Sequence, residues 1–121
     1  MSNEKPTKKE IAEELLSTMM MVEGTYVILP LKMIKAVGYH SAAFLQYLME
    51  VDDKILEDIF FPIPIEEVKE SRMLSREMQD NSIKKLMEFN LIETKLSGIP
   101  AKRHFKINYD EIEMLMYRTK L

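Results

Sequence analysis

The amino-acid sequence predicts a mainly helical α+β fold, and the patterns that carry this prediction lie in residues 73–108. Ser75 is a good helix N-cap, and Glu77 places a negative charge in the first turn after it. One face of the helix that follows is formed by Met78, Ser82 or Ile83, Leu86 and Phe89. Asn90 tolerates a positive φ angle, so we expect the helix to end there.

After Asn90 the pattern changes to a period of two, which is typical of strands. The first predicted strand alternates Ile92, Thr94 and Leu96 with Glu93, Lys95 and Ser97. Residues 97–100 are Ser-Gly-Ile-Pro, a sequence that favours a turn. The second predicted strand alternates Lys102, His104 and Lys106 with Arg103, Phe105 and Ile107. A helix followed directly by such a hairpin is the second half of a winged helix-turn-helix.

The chain divides into three predicted parts. Residues 1–6 are polar and charged, and they predict a disordered tail. Residues 7–22 predict an additional N-terminal helix, and residues 25–121 predict the winged-helix domain, which ends in a C-terminal helix. The N-terminal helix has a broad apolar face, which predicts either packing on its own domain or a dimer interface. We favour the dimer interface, and so a homodimer is expected.

The first half of the domain should contain short elements around one long helix. We expect a strand over residues 25–29 and a helix over residues 31–37 that ends at Gly38. The next helix should be capped by His40 or Ser41 and run to about Asp58. An edge strand is predicted within residues 60–63, because Pro62 has no backbone N–H to donate to a hydrogen-bond ladder.

The second half should complete the helix-turn-helix. Pro64 can open a helix that ends near Ser71, with residues 72–74 as the turn into Ser75. At the other end, Asn108 and Glu111 predict a capping box for the C-terminal helix. Ile107 and Ile112 are predicted to form the staple across that cap. The buried face of this helix should include Leu115, Met116 and Tyr117.

Composition places limits on function. The 121 residues suffice for one domain, and the chain has no cysteine, so disulfides and thiolate metal sites are not expected. The N-terminus lacks a secretory apolar segment, and no apolar run approaches the roughly 20 residues of a membrane span. We therefore expect a cytoplasmic protein. The net charge of −3 argues mildly against a surface devoted wholly to nucleic acid.

The charge is unevenly distributed along the chain. Residues 69–106 contain nine cationic and five anionic side chains, which leaves +4 there and −7 in the remainder. Basic charge is thus concentrated in the predicted helix and hairpin, which favours contact with nucleic acid. The alternative is that these charges belong to an ordinary solvated surface.

Binding to double-stranded DNA would use the outward N-terminal part of the helix and the hairpin. Arg76 can form two hydrogen bonds to guanine, and Gln79 or Asn81 can pair with adenine. Ser75 and Asp80 lie in the same part of the helix. Side chains expected to hold phosphates or to contact a neighbouring groove are Arg72, Lys84 and Lys85 around the helix and Lys95, Lys102, Arg103 and, more weakly, His104 on the hairpin.

Residues 25–117 resemble the N-terminal winged-helix domain of plasmid replication initiators and phage replisome organisers. The resemblance rests on Leu29-Pro30, Gly38-Tyr39-His40, Met73-Leu74-Ser75, Ile83-Lys84-Lys85-Leu86, Asn90-Leu91-Ile92, Gly98-Ile99-Pro100 and Phe105-Lys106-Ile107-Asn108. It implies a winged helix that binds duplex DNA in replication initiation or transcription control. Members of that family usually carry a second domain. The sequence departs from their pattern at Glu77, Asp80 and Glu88, which make the predicted recognition helix less basic.

Catalytic functions are disfavoured by the sequence. His40 and His104 are too few for a metal cluster, and phosphate-loop, nucleophile-elbow and dinucleotide motifs are missing. We expect no enzyme activity and no cofactor. The alternative to DNA binding is a winged helix that binds a protein, such as a replisome adaptor or an inhibitor of a host factor. The acidic residues of the predicted helix and the methionine-rich N-terminal helix favour that alternative.

Overall fold

A computed structural model describes residues 4–21 and 26–121, and within these ranges the protein is a mainly helical α+β structure. The helices are α1 (Lys8–Met21), α2 (Leu31–Val37), α3 (Tyr39–Asp52), α4 (Ile65–Arg72), α5 (Arg76–Glu88) and α6 (Tyr109–Arg118). The strands are β1 (Phe61–Pro62), β2 (Ile92–Ser97) and β3 (Lys102–Ile107). No helix within the described ranges has both the length and the apolar character needed to cross a membrane.

The predicted N-terminal helix is confirmed as α1. Thr7 caps it, since its hydroxyl accepts a hydrogen bond from the Glu10 backbone N–H at 3.2 Å. The side chains of residues 8–18 are all exposed. The predicted disordered tail and the end of the predicted helix at Val22 fall partly outside the described residues.

The strand expected over residues 25–29 is wrong for its described part. Residues 26–30 have no regular secondary structure, and Thr25 lies outside the described residues. The residue types favour a strand, but a strand also needs a hydrogen-bonding neighbour, and the three-stranded sheet includes none of these residues. Pro30 then precedes α2 in an extended conformation.

Helix α3 both begins and ends earlier than predicted. Gly38, with a φ angle of 84°, ends α2 as expected, but it is also the N-cap residue of α3 in place of His40 or Ser41. Helix α3 stops at Asp52 because Lys54 and Ile55 bond to carbonyls three residues back, which tightens the last turn. Ile59, predicted on the inner stripe, is consequently 48% exposed.

The core forms around α3, whose Phe44, Leu45 and Leu48 are fully buried. The Phe44 ring meets Phe105 of β3 edge to face, with centroids 5.6 Å apart. Further core side chains come from every other element of residues 31–121, including Val37, Val68, Leu86, Leu91 and Ile112. Helices α4 and α5 and the sheet are thereby packed against one central helix.

The sheet is antiparallel with the order β1-β3-β2. β1 pairs only with β3, opposite Phe105 and His104, so the predicted edge strand is confirmed. β2 and β3 form the predicted hairpin, in register from Ile92 opposite Ile107 to Ser97 opposite Lys102. Asn90 has the predicted positive φ angle, 59°, and directs the chain from α5 into β2.

Helix α6 begins where predicted, but its capping box is absent. The Asn108 side chain makes no capping hydrogen bond; its amide donates to the Asn90 backbone carbonyl at 2.8 Å instead. This contact ties α6 to the end of α5. Ile112 and Leu115 are buried as expected, whereas Tyr117 is 88% exposed.

Candidate nucleic-acid interface

Helix α5 is positioned by a short turn after α4. Met73 adopts the left-handed conformation, with a φ angle of 57°, and Leu74 is buried in the core. Ser75 then caps α5 as predicted, because its hydroxyl accepts a hydrogen bond from the Met78 backbone N–H at 3.2 Å. The cap leaves Ser75 exposed at the start of the helix but commits its oxygen to the backbone.

One face of α5 is buried and the opposite face is open. Gln79, Ser82 and Leu86 are buried, whereas Met78 and Phe89, predicted on the buried stripe, are 37% and 39% exposed. The buried stripe is therefore rotated from the one that we expected. Charged and amide side chains exposed on α5 are Arg76, Glu77, Asp80, Asn81, Lys84, Lys85 and Glu88.

This places four predicted contact residues, Arg76, Asn81, Lys84 and Lys85, on the accessible part of α5. Their surroundings are electrically balanced, because three exposed anions lie among the three cations of the same helix. Arg76 and Asn81 retain side chains that can hydrogen-bond to base edges. The net field of this surface gives little attraction to phosphate.

The prediction that Gln79 faces outward is wrong. Its side chain is completely buried, and its amide nitrogen donates to the backbone carbonyls of Leu74 at 2.8 Å and Ile65 at 3.1 Å. These bonds hold the turn and the start of α4 against α5. Gln79 cannot reach a base without breaking them, so it is a structural residue. Its spacing of three from Ser82 and seven from Leu86 is the sequence signal that it shares their face.

Arg103 is likewise held within the chain and is not a free cation at the surface. Its Nε donates to the Ile63 carbonyl at 2.7 Å, and its Nη2 donates to the Gln79 side-chain oxygen. The guanidinium lies 5.5 Å from the ring centroid of Phe105, and its Nη1 is buried without a hydrogen-bond partner. Burial lowers the pKa of Arg103, while the nearby carboxylate of Asp80 acts in the opposite direction.

Arg103 therefore connects the hairpin to α5 through Gln79, and its guanidinium is not the free surface group that the prediction assumed. Sequence alternation correctly placed it on the face of β3 that carries Phe105 and Ile107. Alternation alone could not show that Phe105 packs on α3 and that Arg103 reaches Gln79 of α5. An arginine among inward-facing apolar residues was the available signal, since buried arginines require partners.

Arg72 is the second predicted contact cation that is held by other side chains of the chain. Its Nη2 lies 2.6 Å from a Glu50 carboxylate oxygen, and it also donates to the Gln46 side chain at 2.8 Å. The guanidinium covers the Tyr47 ring at 4.8 Å, and only 10% of the side chain is exposed. Its charge is neutralised by the chain's own acid, so Arg72 joins α4 to α3 and is not available to phosphate.

The hairpin carries its accessible cations on the outer face. Alternation of the paired strands puts Lys95 and Lys102 on the same side as His104 and Lys106, with Glu93 opposite Lys106. Lys95 and Lys102 are both exposed, as the prediction requires. The Lys95 ammonium lies 4.4 Å from the Phe60 ring centroid. Lys106 is partly neutralised, since its nitrogen is 3.6 Å from Asp58.

The hairpin tip adds a feature that the sequence analysis did not identify. Leu96, near the end of β2, is 74% exposed, and Ile99, within the turn that joins β2 to β3, is completely exposed. An apolar tip between Lys95 and Lys102 has the composition of segments that enter a DNA minor groove. Leu96 lies on the same face of β2 as the buried Ile92, but near the tip of the hairpin the core no longer covers that face.

Within the described ranges, no group of three or more His, Asp or Glu side chains is placed to hold a metal ion. His104 Nδ1 lies 2.9 Å from the Lys102 carbonyl.

Comparison of the chain with protein-family profiles, curated proteins and solved structures finds no match. The interpretation of this surface consequently rests on its own residues.

Proposed function

We propose that residues 26–121 form a winged helix-turn-helix and that this unit binds double-stranded DNA. The order α3-β1-α4-α5-β2-β3 with sheet order β1-β3-β2 supports the fold, because α4 and α5 meet across a short turn and the hairpin follows α5 directly. The observation that carries the function is the exposed face of α5 beside a hairpin whose outer face is rich in lysine.

In the proposed complex, α5 and the β2–β3 hairpin contact different parts of the DNA. Helix α5 enters the major groove, where Arg76 hydrogen-bonds to guanine and Asn81 to adenine. Lys84 and Lys85 contact phosphates on either side of the groove. Lys95 and Lys102 place the hairpin against the backbone of the adjacent groove. The resemblance to plasmid replication initiators and phage replisome organisers suggests a role in replication initiation or transcription control in the cytoplasm.

A salt titration of duplex binding tests this proposal. Binding of the full chain to a random-sequence duplex should weaken steeply between about 50 and 200 mM salt, because neutralised phosphates release counterions. The double variant Arg76→Gln/Lys84→Gln should lower the magnitude of the salt slope by about one unit, because Lys84 contacts a phosphate whereas Arg76 contacts a base. The matched control is Lys54→Gln, which removes an exposed lysine outside α5 and the hairpin.

Absence of binding at low salt, or binding without salt dependence, would contradict DNA recognition. A slope that the control changes as much as the double variant does would show general electrostatic attraction in place of a defined interface. Selection of preferred duplexes from a random pool would then identify the DNA site for a chain that passes both tests.

The second candidate is a winged helix that binds a protein partner, either as a replisome adaptor or as an inhibitor of a host factor. The balanced charge on α5 favours it, since Glu77, Asp80 and Glu88 repel phosphate but suit a mixed protein surface. The same double variant separates the two functions. If the double variant loses the activity of the protein in cells but binds duplex DNA as the wild type does, a protein partner is favoured.

A further inference from the structure

Helix α1 carries large apolar side chains that are exposed in the described part of the chain. Ile11, Leu15 and Leu16 are 45%, 57% and 60% exposed, and every described side chain from Lys8 onward in this helix is open to solvent. A single helix of 14 residues is marginally stable in water on its own. An apolar stripe on such a helix gains stability chiefly by docking against another surface.

A matching groove lies elsewhere on the same chain, between the segment 26–30, α3 and α6. Its apolar lining includes Ile28, Met33, Met49, Ile112 and Met116, and its volume is about 550 Å³. A space of this size accommodates several large side chains. Methionine is flexible and polarisable, so the three methionines can adjust to the side chains of a docked helix.

The charges at the two surfaces are complementary. Lys8 precedes Ile11 by three residues and Leu15 by seven, so it lies at the N-terminal end of the apolar stripe. The three glutamates of α1 fall on the opposite side of the helix. The groove is bordered by Glu50 and Asp53 at the end of α3. Since Glu50 already pairs with Arg72, Asp53 is the rim acid available to a docked lysine.

We propose that α1 of one copy occupies this groove on a second copy, and that the second copy reciprocates. Each chain exposes the apolar side chains of α1 and an apolar groove, so a two-fold exchange covers both surfaces in both copies. Within a single chain the described side chains of α1 remain exposed, which favours a second copy as the occupant. The proposal is independent of DNA binding and is tested without DNA.

The mass of the full chain in solution is the first measurement, by light scattering and sedimentation over a range of protein concentrations. The wild type should form a dimer. Leu15→Glu on α1 and Ile28→Glu in the groove should each raise the dimer dissociation constant by about tenfold or more, because each places a charge in an apolar contact. The matched control is Leu56→Glu, at a side chain that is fully exposed outside both surfaces.

A charge exchange then identifies the contact. Lys8→Glu and Asp53→Lys should each weaken the dimer by about two- to fivefold, and the double variant should restore most of the loss. A monomeric wild type would overturn the proposal. A dimer weakened by Leu15→Glu but not by Ile28→Glu would also overturn it, because α1 would then pair with something other than the groove. Circular dichroism of each variant checks that the fold of the domain is retained.

Discussion

Helix α5 and the β2–β3 hairpin are adjacent and both carry exposed cations, yet they present different charge environments. On α5 the cations alternate with exposed acids, and the sum is neutral. On the outer face of the hairpin, Lys95 and Lys102 have Glu93 as their acidic neighbour within the strands. In the proposed DNA complex, we therefore expect the hairpin to supply most of the attraction to phosphate and α5 to supply shape and hydrogen-bonding groups for recognition.

The two elements are also joined by a buried polar contact. Gln79 anchors α5 to α4 and to the turn, and its side-chain oxygen accepts a hydrogen bond from Arg103 of the hairpin. Apolar packing brings elements together without defining one orientation, whereas directional hydrogen bonds favour one. The angle between α5 and the hairpin should therefore depend on this pair.

The largest effect is expected from Gln79→Leu. The substitution keeps an apolar body in the core but removes the hydrogen bonds that Gln79 makes to the carbonyls of Ile65 and Leu74 and to Nη2 of Arg103. We expect a loss of about 3 kcal/mol in the free energy of unfolding. Urea denaturation, with the midpoint and the slope both fitted, measures it.

Two further variants give this prediction its control. Asn81→Leu changes an exposed amide on the same helix and should alter stability by less than about 0.5 kcal/mol. Adding Arg103→Leu to Gln79→Leu should recover part of the loss, since no charged group is then left buried and unpaired. Equal stability of Gln79→Leu and Asn81→Leu would show that the buried pair does not join α5 to the hairpin.

The sequence predicted the elements of this region well because local chemistry determines them. The Ser75 cap, the positive φ angle of Asn90 and the alternation in both hairpin strands depend on neighbouring residues alone. Availability of the cations depends on distant parts of the chain. Arg72 is neutralised by Glu50, 22 residues away in sequence, and Arg103 donates to Ile63, 40 residues away.

The remaining errors have the same origin. A β-propensity pattern in residues 26–29 could not reveal that no strand is available to pair with them. The apolar sequence after Asp52 continued a helical period, yet the end of α3 is set by a tightened turn. Counting charge over residues 69–106 indicated a basic surface, but it could not show which cations are paired or buried.

A second, smaller effect compares the cations of the two elements directly. In duplex binding, Lys95→Gln/Lys102→Gln on the hairpin should weaken affinity by about tenfold or more near 0.1 M salt, with a salt slope lower by about two units. Lys84→Gln/Lys85→Gln on α5 should have the weaker effect, because neighbouring acids already reduce the attraction of that helix for phosphate. Fluorescence anisotropy at several salt concentrations measures both pairs.

The two pairs remove the same number of charges, so each is the control for the other. A larger loss from the α5 pair would reverse the comparison and assign the phosphate contacts to the helix. Equal losses would mean that the acids on α5 do not influence binding, and the uneven distribution of charge would then have no functional consequence.

The smallest effect should come from removing those acids. Glu77→Gln/Glu88→Gln keeps the size and polarity of two exposed side chains on α5 while abolishing their charge. If α5 faces DNA, we expect affinity to rise by about two- to fourfold at low salt, since two charges that repel phosphate are lost.

The control is Glu57→Gln/Glu70→Gln, at exposed acids outside α5 and the hairpin. An increase from both pairs would reflect only the change in net charge. A third outcome is that neither pair raises the affinity for DNA, while Glu77→Gln/Glu88→Gln abolishes the activity of the protein in cells. The acids of α5 would then contact a protein partner.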